Sequence, residues 1–389
     1  MDIQTIFTLL FLLSLILFIY KKRKKVEIQK ILFPILYFIL YRTKLGIKKM
    51  DWTAKKFRKP LKYFGYAGVF FGFLGMILIS WELLKNMYSL IFRPETLPQI
   101  GIVLPIEAKG VFYVPFFYWL ISIFIIAIVH EFSHGILART YNLRVKSSGF
   151  AFLGIVIPII PAAFVEPDEK QIAKSSTMKQ LSIFAAGPFS NIILGVLMLV
   201  LLITVIAPAL DKIVEFDGVE VTGVEDGFPA KDVGLGEDEI IKSIDDIDVI
   251  YTTNFSGILS TKYPGESVKI LTDKNEYVIE LAENPENKTK AYLGIYVRQH
   301  QQIKQDIKQK FMFLPDVFIW LTGLVYWLFL LNLGIGLFNL VPLGPLDGGK
   351  MLQLVLGKAF KKSGHIIWKI ISAFFLIILI IILLSSFFR

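Results

Sequence analysis

Six apolar runs constrain the fold of this chain more than any other feature of its sequence. They fall at residues 3–20, 64–84, 111–138, 181–210, 313–340 and 366–388. Runs of this kind cross a hydrocarbon layer of about 30 Å as helices. Hydrophobic residues make up 54% of the 389 residues. The sequence therefore predicts a polytopic α-helical membrane protein with about six transmembrane helices.

The positive charge of the chain sets the predicted orientation. Residues 21–62 hold fifteen Lys or Arg against only Glu27 and Asp51, and such segments stay in the cytoplasm. The first run has no basic residue before it and no small-residue cleavage site after it, which indicates an anchor. We therefore expect both termini outside the cell membrane. The net charge of +10 is distributed as the membrane topology requires, so it does not indicate nucleic-acid binding, and no nucleic-acid partner is predicted.

Two shorter apolar segments do not fit a spanning helix. Residues 31–41 are flanked by charge, and we expect either a helix on the membrane surface or a solvated basic segment. Residues 149–161 are interrupted by Gly and Pro. The hypothesis for them is a re-entrant strand or hairpin whose edge could pair with an unwound substrate peptide. A plain interfacial loop is the alternative.

The candidate chemistry is concentrated at His130, Glu131 and His134, near the end of the third run. In a helix the two histidines lie one turn apart on one face, so both imidazoles can bind one divalent metal. In an H-E-x-x-H zinc hydrolase the Glu takes a proton from the metal-bound water. The alternative is a pair of hydrogen-bonded interior histidines, but ionisable groups are costly in hydrocarbon and are usually functional there.

A third ligand must come from elsewhere in the chain. Cys is absent, so the ligand is a His or a carboxylate. Asp347 follows the fifth run, and the alternating passes bring it to the same cytoplasmic-side depth as the two histidines. Two His and one Asp leave an open position for water, as in catalytic zinc sites. Asn191 in the fourth run either orients a substrate carbonyl or bonds across helices.

Residues 211–299 have the composition of a soluble domain, with short β-type runs between turns. The chain order of their motifs resembles a PDZ domain of the permuted bacterial type, an α+β fold. These motifs are Gly227-Phe228-Pro229-Ala230, Val233-Gly234-Leu235, Pro264-Gly265-Glu266 and Leu293-Gly294-Ile295. Asp246 stands where that family commonly has Gly, and Asp tolerates a positive φ. By this resemblance Leu293, Gly294 and Ile295 would receive a peptide carboxylate or an extended segment. The alternative is that the domain only blocks access by its bulk.

The order of the motifs resembles the site-2 protease family of intramembrane zinc metalloproteases. His-Glu-x-x-His in one run is followed by Gly-Pro-x-x-Asn in the next, then by the PDZ-like insertion and Asn-x-x-Pro-x-x-x-Leu-Asp-Gly. The resemblance covers about residues 111–350 and leaves the first two runs unassigned.

The resemblance implies a zinc metalloendopeptidase. Zn²⁺ would be bound by His130, His134 and Asp347, with Glu131 as general base and Asn191 near the scissile carbonyl. Its partners would be single-pass transmembrane substrates, cut within the lipid bilayer and often after a first external cleavage. A non-proteolytic membrane scaffold that uses the PDZ-like domain is the alternative function. A metal transporter is disfavoured because the outer half of the third run, residues 116–128, is almost free of polar groups.

We divide the chain into five parts on these grounds. Residues 1–110 hold the N-terminal transmembrane helices and the basic cytoplasmic segment. Residues 111–210 and 300–350 form the two parts of the metalloprotease membrane core, 211–299 the PDZ-like domain, and 351–389 the C-terminal transmembrane helix. The predicted topology places the PDZ-like domain outside the cell and the active site near the cytoplasmic face.

Overall fold

The computed structural model describes residues 3–23, 25–32, 36–92, 101–106, 108–155, 157–285 and 287–388. These residues fall into two compact units. One unit comprises Met1–Leu202 and Thr322–Arg389, and the other comprises Ile203–Leu321.

In the described residues up to the end of the third apolar run, the structure has four helices and four short strands. They are α1 (Ile3–Lys22), β1 (Val26–Leu32), β2 (Leu36–Thr43), α2 (Ile47–Lys56), α3 (Arg58–Phe92), β3 (Ile102–Leu104), β4 (Val111–Tyr113) and α4 (Phe116–Thr140). A hairpin and a long helix follow. These elements are β5 (Val145–Ile155), β6 (Ile157–Pro167), α5 (Glu169–Ala173), α6 (Thr177–Leu201), a π-helical turn (Leu202–Ile206) and α7 (Ala207–Ile213).

In the remaining described residues, a β-rich segment with two short helices is followed by four further helices. The β-rich segment holds β7 (Val214–Val224), α8 (Pro229–Asp232), β8 (Ile240–Ile244), β9 (Ile247–Asp248), α9 (Thr252–Ser260), β10 (Ser267–Thr272), β11 (Glu276–Glu280), β12 (Ala282–Glu283), β13 (Ala291–Tyr292) and β14 (Ile295–Ile303). The final helices are α10 (Gln305–Phe311), α11 (Leu314–Phe338), α12 (Asp347–Phe360) and α13 (Lys362–Phe388).

Five helical segments of the described residues are long and apolar enough to cross a membrane. They are Arg58–Phe92, Phe116–Thr140, Thr177–Ile213, Leu314–Phe338 and Lys362–Phe387. These segments coincide with the second to sixth apolar runs. The first run forms α1, a helix of 20 residues. The total of six spans and their direction across the membrane stay predictions.

Glycines bring α3 close to its neighbours in the first unit. A Cβ at Gly68 would lie 3.2 Å from the Phe189 ring of α6, and one at Gly72 would lie 2.9 Å from Met351 of α12. Small residues allow this approach where lipid provides no hydrophobic driving force between helices. Helix α3, which the sequence left unassigned, therefore supports both helices that carry later motifs.

The prediction of a surface helix at residues 31–41 is wrong for residues 31–32 and 36–41, which form strands; residues 33–35 lie outside the described part of the chain. Strands β1 and β2 form an antiparallel hairpin, and β2 pairs with β5 from Leu36 opposite Ile155 to Thr43 opposite Ser148. The segment Leu36–Thr43 is rich in aromatic and β-branched residues, which favour strands. Its partner strand lies more than a hundred residues away, so the local sequence did not reveal the pairing.

The hairpin hypothesised at residues 149–161 is present as β5 and β6, which pair antiparallel. The sheet has the order β1-β2-β5-β6, so β6 is an edge strand within the described part of the chain. The depth of this hairpin in the bilayer stays a prediction.

The second unit contains a sheet of order β11-β10-β8-β7-β14, with β9 paired to β8. Its interior is formed by fully buried aliphatic side chains from four of these strands, among them Val219, Ile241, Ile270 and Ile279. Asp246 has φ of 60°, as the sequence predicted for a position where Gly is common. The turn after β8 therefore forms without Gly.

Candidate metal centre

Three side chains converge where α4 meets the start of α12. The Nε2 atoms of His130 and His134 lie 3.1 and 3.2 Å from Oδ2 of Asp347. One ligand atom from each residue lies within 4.8 Å of the others. The side chains of both histidines are 12% exposed and that of Asp347 is 6% exposed. The structure thus brings together the three residues that the sequence predicted as ligands.

The Nδ1 atoms of the two histidines, which face away from Asp347, also have hydrogen-bond partners. His134 Nδ1 lies 2.6 Å from the carbonyl oxygen of Ile183. A carbonyl only accepts, so Nδ1 carries the hydrogen and Nε2 keeps its lone pair for a metal. In many metal sites, the histidine nitrogen that does not bind the metal donates a hydrogen bond of this kind, which fixes the orientation of the ring.

Asn191 contacts His130 on the side of the ring away from Asp347, and it is not among the residues that line the cavity at this centre. Its side chain is 0% exposed, and Nδ2 is 3.1 Å from His130 Nδ1. Asn191 Oδ1 has no hydrogen-bond partner among the described residues. If His130 Nε2 binds a metal, Nδ1 carries a hydrogen and needs an acceptor. A flip of the Asn191 amide, which exchanges Oδ1 and Nδ2, would place Oδ1 there as this acceptor. The geometry favours the bond across helices over contact with a substrate carbonyl.

Gly187 provides the space beside the metal ligands. A Cβ at this position would lie 2.4 Å from His134 Nε2 and 2.6 Å from His130 Nε2. The sequence contained Gly187 within the Gly-Pro-x-x-Asn motif, but only the packing of α6 on α4 gives its role.

Helix α12, which the sequence did not predict, presents Asp347 at its first position. The Gly348 amide donates to the Asn339 carbonyl at 2.8 Å, which closes the turn between α11 and α12. Lys350 Nζ donates to Asp347 Oδ1 at 3.2 Å. The second carboxylate oxygen is therefore engaged while Oδ2 faces the histidines.

Glu131 lies beside the three ligands in a cavity of about 460 Å³. Its Oε2 accepts a hydrogen bond from the Val165 amide of β6 at 3.0 Å, which fixes the carboxylate and leaves Oε1 for other partners. Glu166 also lines the cavity. The Arg42 guanidinium donates to it and lowers the pKa of the Glu166 carboxyl, with Ser147 adding a second hydrogen bond.

The predicted peptide-binding residues lie in the second unit. Leu293 is 2% exposed and belongs to the interior of that unit, and Gly294 has φ of 77°. Ile295 begins β14, which is an edge strand among the described residues. The backbone from Ile295 onward has one side that no described strand covers.

The donor set and its surroundings fit a zinc ion. Two imidazole nitrogens and one carboxylate oxygen are typical ligands of catalytic zinc. The His134 tautomer leaves its lone pair available, and Gly187 leaves space at both Nε2 atoms. The acceptor that a zinc-bound His130 requires is the buried Asn191 oxygen. The residues present therefore suit the ion without rearrangement of the backbone.

The fold and this centre define a metal-dependent hydrolase set among membrane helices. Comparison with known protein families identifies the family of hydrolases to which the chain belongs. The profile of Peptidase family M50 matches residues 118–383, more than half of the chain. The chain belongs to this family and is a membrane zinc metalloprotease of the site-2 type.

Two individual relatives are also similar to this chain. An uncharacterized protein of Methanocaldococcus jannaschii is 27% identical over 334 residues, which cover 80% of this chain and 75% of that protein. The zinc metalloprotease RasP of Oceanobacillus iheyensis is 21% identical over 237 residues. That alignment covers 48% of this chain and 53% of RasP, so the chain matches about half the length of that relative.

Two solved structures of PDZ domains are also similar to part of the chain. The PDZ domain of an SdrC-like protein from Listeria monocytogenes is 28% identical, with 21% of this chain and 88% of that domain covered and a TM-score of 0.20. The corresponding domain from Listeria innocua is 27% identical, with 22% and 97% covered and a TM-score of 0.20.

The position of Asn191 leads to a prediction about zinc affinity. Asn191→Leu is expected to weaken zinc binding about 10- to 100-fold, as loss of a partner behind a metal-binding His does. Asn191→Asp, which can only accept hydrogen bonds, should retain most of the affinity. Competition with a fluorescent chelator measures both. A stronger loss in Asn191→Asp than in Asn191→Leu would mean that the amide donates to His130, contrary to the orientation inferred above.

Proposed function

We propose that this metalloprotease hydrolyses peptide bonds within the transmembrane segments of membrane-protein substrates, in regulated intramembrane proteolysis. The observation that supports the proposal is the position of Glu131, His130 and His134 inside α4, a candidate membrane span, with Asp347 of α12 brought against them. A substrate would reach this polar centre through the cavity lined by residues of β6, α5, α6 and α12.

We assign the site residues as follows. His130, His134 and Asp347 would hold the zinc ion, which when bound lowers the pKa of water and polarises a carbonyl. Glu131 acts as general base through Oε1, holds the proton taken from the attacking water, and passes it to the leaving amine. The Val165 amide keeps this carboxylate aligned during both transfers.

The edge of β6 is the proposed docking line for the substrate. Val165 directs its amide away from β5 and toward Glu131. Because strand amides alternate, Ala163 faces the same side, and Pro161 on that side has no amide hydrogen. A substrate segment that pairs with Ala163 would extend toward Glu131.

We assign the second unit a role in substrate selection. The segment 211–299 presents the backbone of Leu293, Gly294 and Ile295 at the start of edge strand β14. It either binds an extended segment of the substrate there or limits access by its size. In the proposed topology this segment and both termini lie outside the cell, and the active site lies near the cytoplasmic face. We keep the proposed division of the chain into five parts, with the boundaries given above.

A substrate helix must unwind before its carbonyls can reach the centre. Residues that break helices lower this energy, since Gly is about 1 kcal/mol and Pro about 3 kcal/mol worse than Ala within a helix. We therefore expect a single-pass substrate with Gly or Pro near the scissile bond to lose about tenfold or more in cleavage rate when these residues are replaced by Leu.

The experiment uses purified protein in bilayer nanodiscs with single-pass substrates, and mass spectrometry locates the cut. The matched control places the same Leu replacements one helical turn outside the cleavage region. Equal cleavage of all substrates would contradict the requirement for unwinding. Cuts only in extramembrane segments would contradict intramembrane proteolysis itself.

A further inference from the structure

A second polar cavity lies against the helix that carries the His-Glu-x-x-His motif. It has a volume of about 260 Å³ and is lined by Asp51, Ala54, Lys55, Arg58, Arg139 and Asn142. The three cations come from three different helices, with Lys55 on α2, Arg58 on α3 and Arg139 on α4. Convergence of like charges from separate elements costs energy unless an anion lies between them.

The protein itself neutralises only part of this charge. Arg139 donates a hydrogen bond to Asp51 and holds the pKa of that carboxyl below its usual value, so Asp51 is ionised at neutral pH. In the described part of the chain no carboxylate lies within 4.0 Å of the Lys55 or Arg58 charged group. Two positive charges thus remain. Arg and Lys donors grouped in this way suit the oxygens of a phosphate.

The surroundings of the cavity are those of a bilayer surface. Helix α3 begins at Arg58 and α4 ends at Thr140, so the cavity lies at the ends of two candidate spans. Trp52 and Phe57 are 58% and 42% exposed beside it, and Lys56 Nζ lies 4.7 Å from the centre of the Trp52 ring. Exposed aromatic and basic residues together mark the headgroup region of a membrane.

We propose that this cavity binds the phosphate of an anionic phospholipid from the leaflet that these helix ends face. Lys55 and Arg58 would donate to the phosphate oxygens, and Arg139 would contribute charge while it remains paired with Asp51. The bound phosphate removes the repulsion between α2, α3 and α4.

This site has a direct connection to the metal centre, because α2 packs on the turn that carries the motif. Met50 of α2 is fully buried, and a Cβ at Gly135 would lie 2.7 Å from its Sδ atom. A Cβ at Gly46, just before α2, would lie 2.2 Å from the Phe132 ring. A lipid that keeps α2 in place therefore also supports the residues on either side of His134.

The test measures lipid retention by the full-length protein. Nanodiscs of phosphatidylcholine with or without phosphatidylglycerol are compared, and native mass spectrometry of the released protein counts the phosphatidylglycerol that stays bound. The variant carries Lys55→Gln and Arg58→Gln. The matched control carries Lys48→Gln and Lys49→Gln, which remove the same charge from exposed positions of α2 outside the cavity.

We expect the Lys55 and Arg58 variant to retain phosphatidylglycerol about tenfold more weakly than wild type, and the control to resemble wild type. Hydrogen exchange of α2 amides should slow with phosphatidylglycerol in wild type but not in the variant. Equal loss in both double variants, or no loss in either, would overturn the proposal. Protection of α2 by inorganic phosphate in phosphatidylcholine discs would instead show that the cavity binds a soluble anion, and it would overturn the proposal that the ligand is a phospholipid.

Discussion

Glu131→Gln is expected to lower peptide cleavage at least about 1,000-fold and to leave the zinc content unchanged. Gln is similar in size to Glu, and its carbonyl oxygen can still accept the hydrogen bond that Val165 donates to Oε2. The substitution therefore removes the basic oxygen and little else. Cleavage of a single-pass substrate and elemental analysis of the same preparations measure the two quantities.

Glu169→Gln is the matched control for this experiment. Glu169 lines the same cavity, but it is exposed and lies in the first turn of α5. Its variant should retain most of the activity. Comparable activity of Glu131→Gln and wild type would exclude Glu131 as the base. Full zinc content with no cleavage by wild type on any substrate would favour the scaffold that the sequence left open.

Gly187→Ala is expected to lower zinc affinity about 100-fold, with activity lost in parallel, which is the upper end of the effect seen when residues that support metal ligands are changed. The added methyl group would lie 2.4 and 2.6 Å from the two Nε2 atoms that face the metal. Both histidines are constrained on their other side, by the Ile183 carbonyl and by Asn191. They cannot move away from the methyl group without loss of these hydrogen bonds.

Gly195→Ala tests whether any extra methyl group on α6 has this effect. A Cβ there would lie 2.9 Å from Cδ2 and Cγ of Leu333 and 3.3 Å from its backbone nitrogen, so the contact with α11 must shift, but no candidate zinc ligand is touched. This control should keep its zinc, as determined by elemental analysis after dialysis against a weak chelator. If both variants lost zinc to the same extent, the effect would reside in helix packing in general and not in the space beside the ligands.

The sequence alone was sufficient for most of the metal centre. Spacing on a helix placed His130 and His134 on one face, and the alternation of apolar runs placed Asp347 near them. Both are local or nearly local properties, since helical periodicity and the length of a spanning segment follow from the backbone. The same reasoning located five segments that the structure has as long apolar helices.

Strand pairing and close packing were not accessible in this way. Residues 31–41 carry an apolar pattern that fits either a surface helix or a strand, and the choice depended on β5, a distant partner. The small helix α12 was missed because Asp-Gly-Gly at its start is more typical of a turn.

The sequence by itself determined that this protein belongs in a membrane and which residues are the candidates for its metal centre, because hydropathy, residue type and helical spacing are properties of the chain itself. Only the tertiary structure decided what surrounds those residues. The Val165 amide on Glu131, the space at Gly187 and the Asn191 contact with His130 each join segments that are more than thirty residues apart. Such contacts are set by the packing of whole elements, which no local pattern specifies.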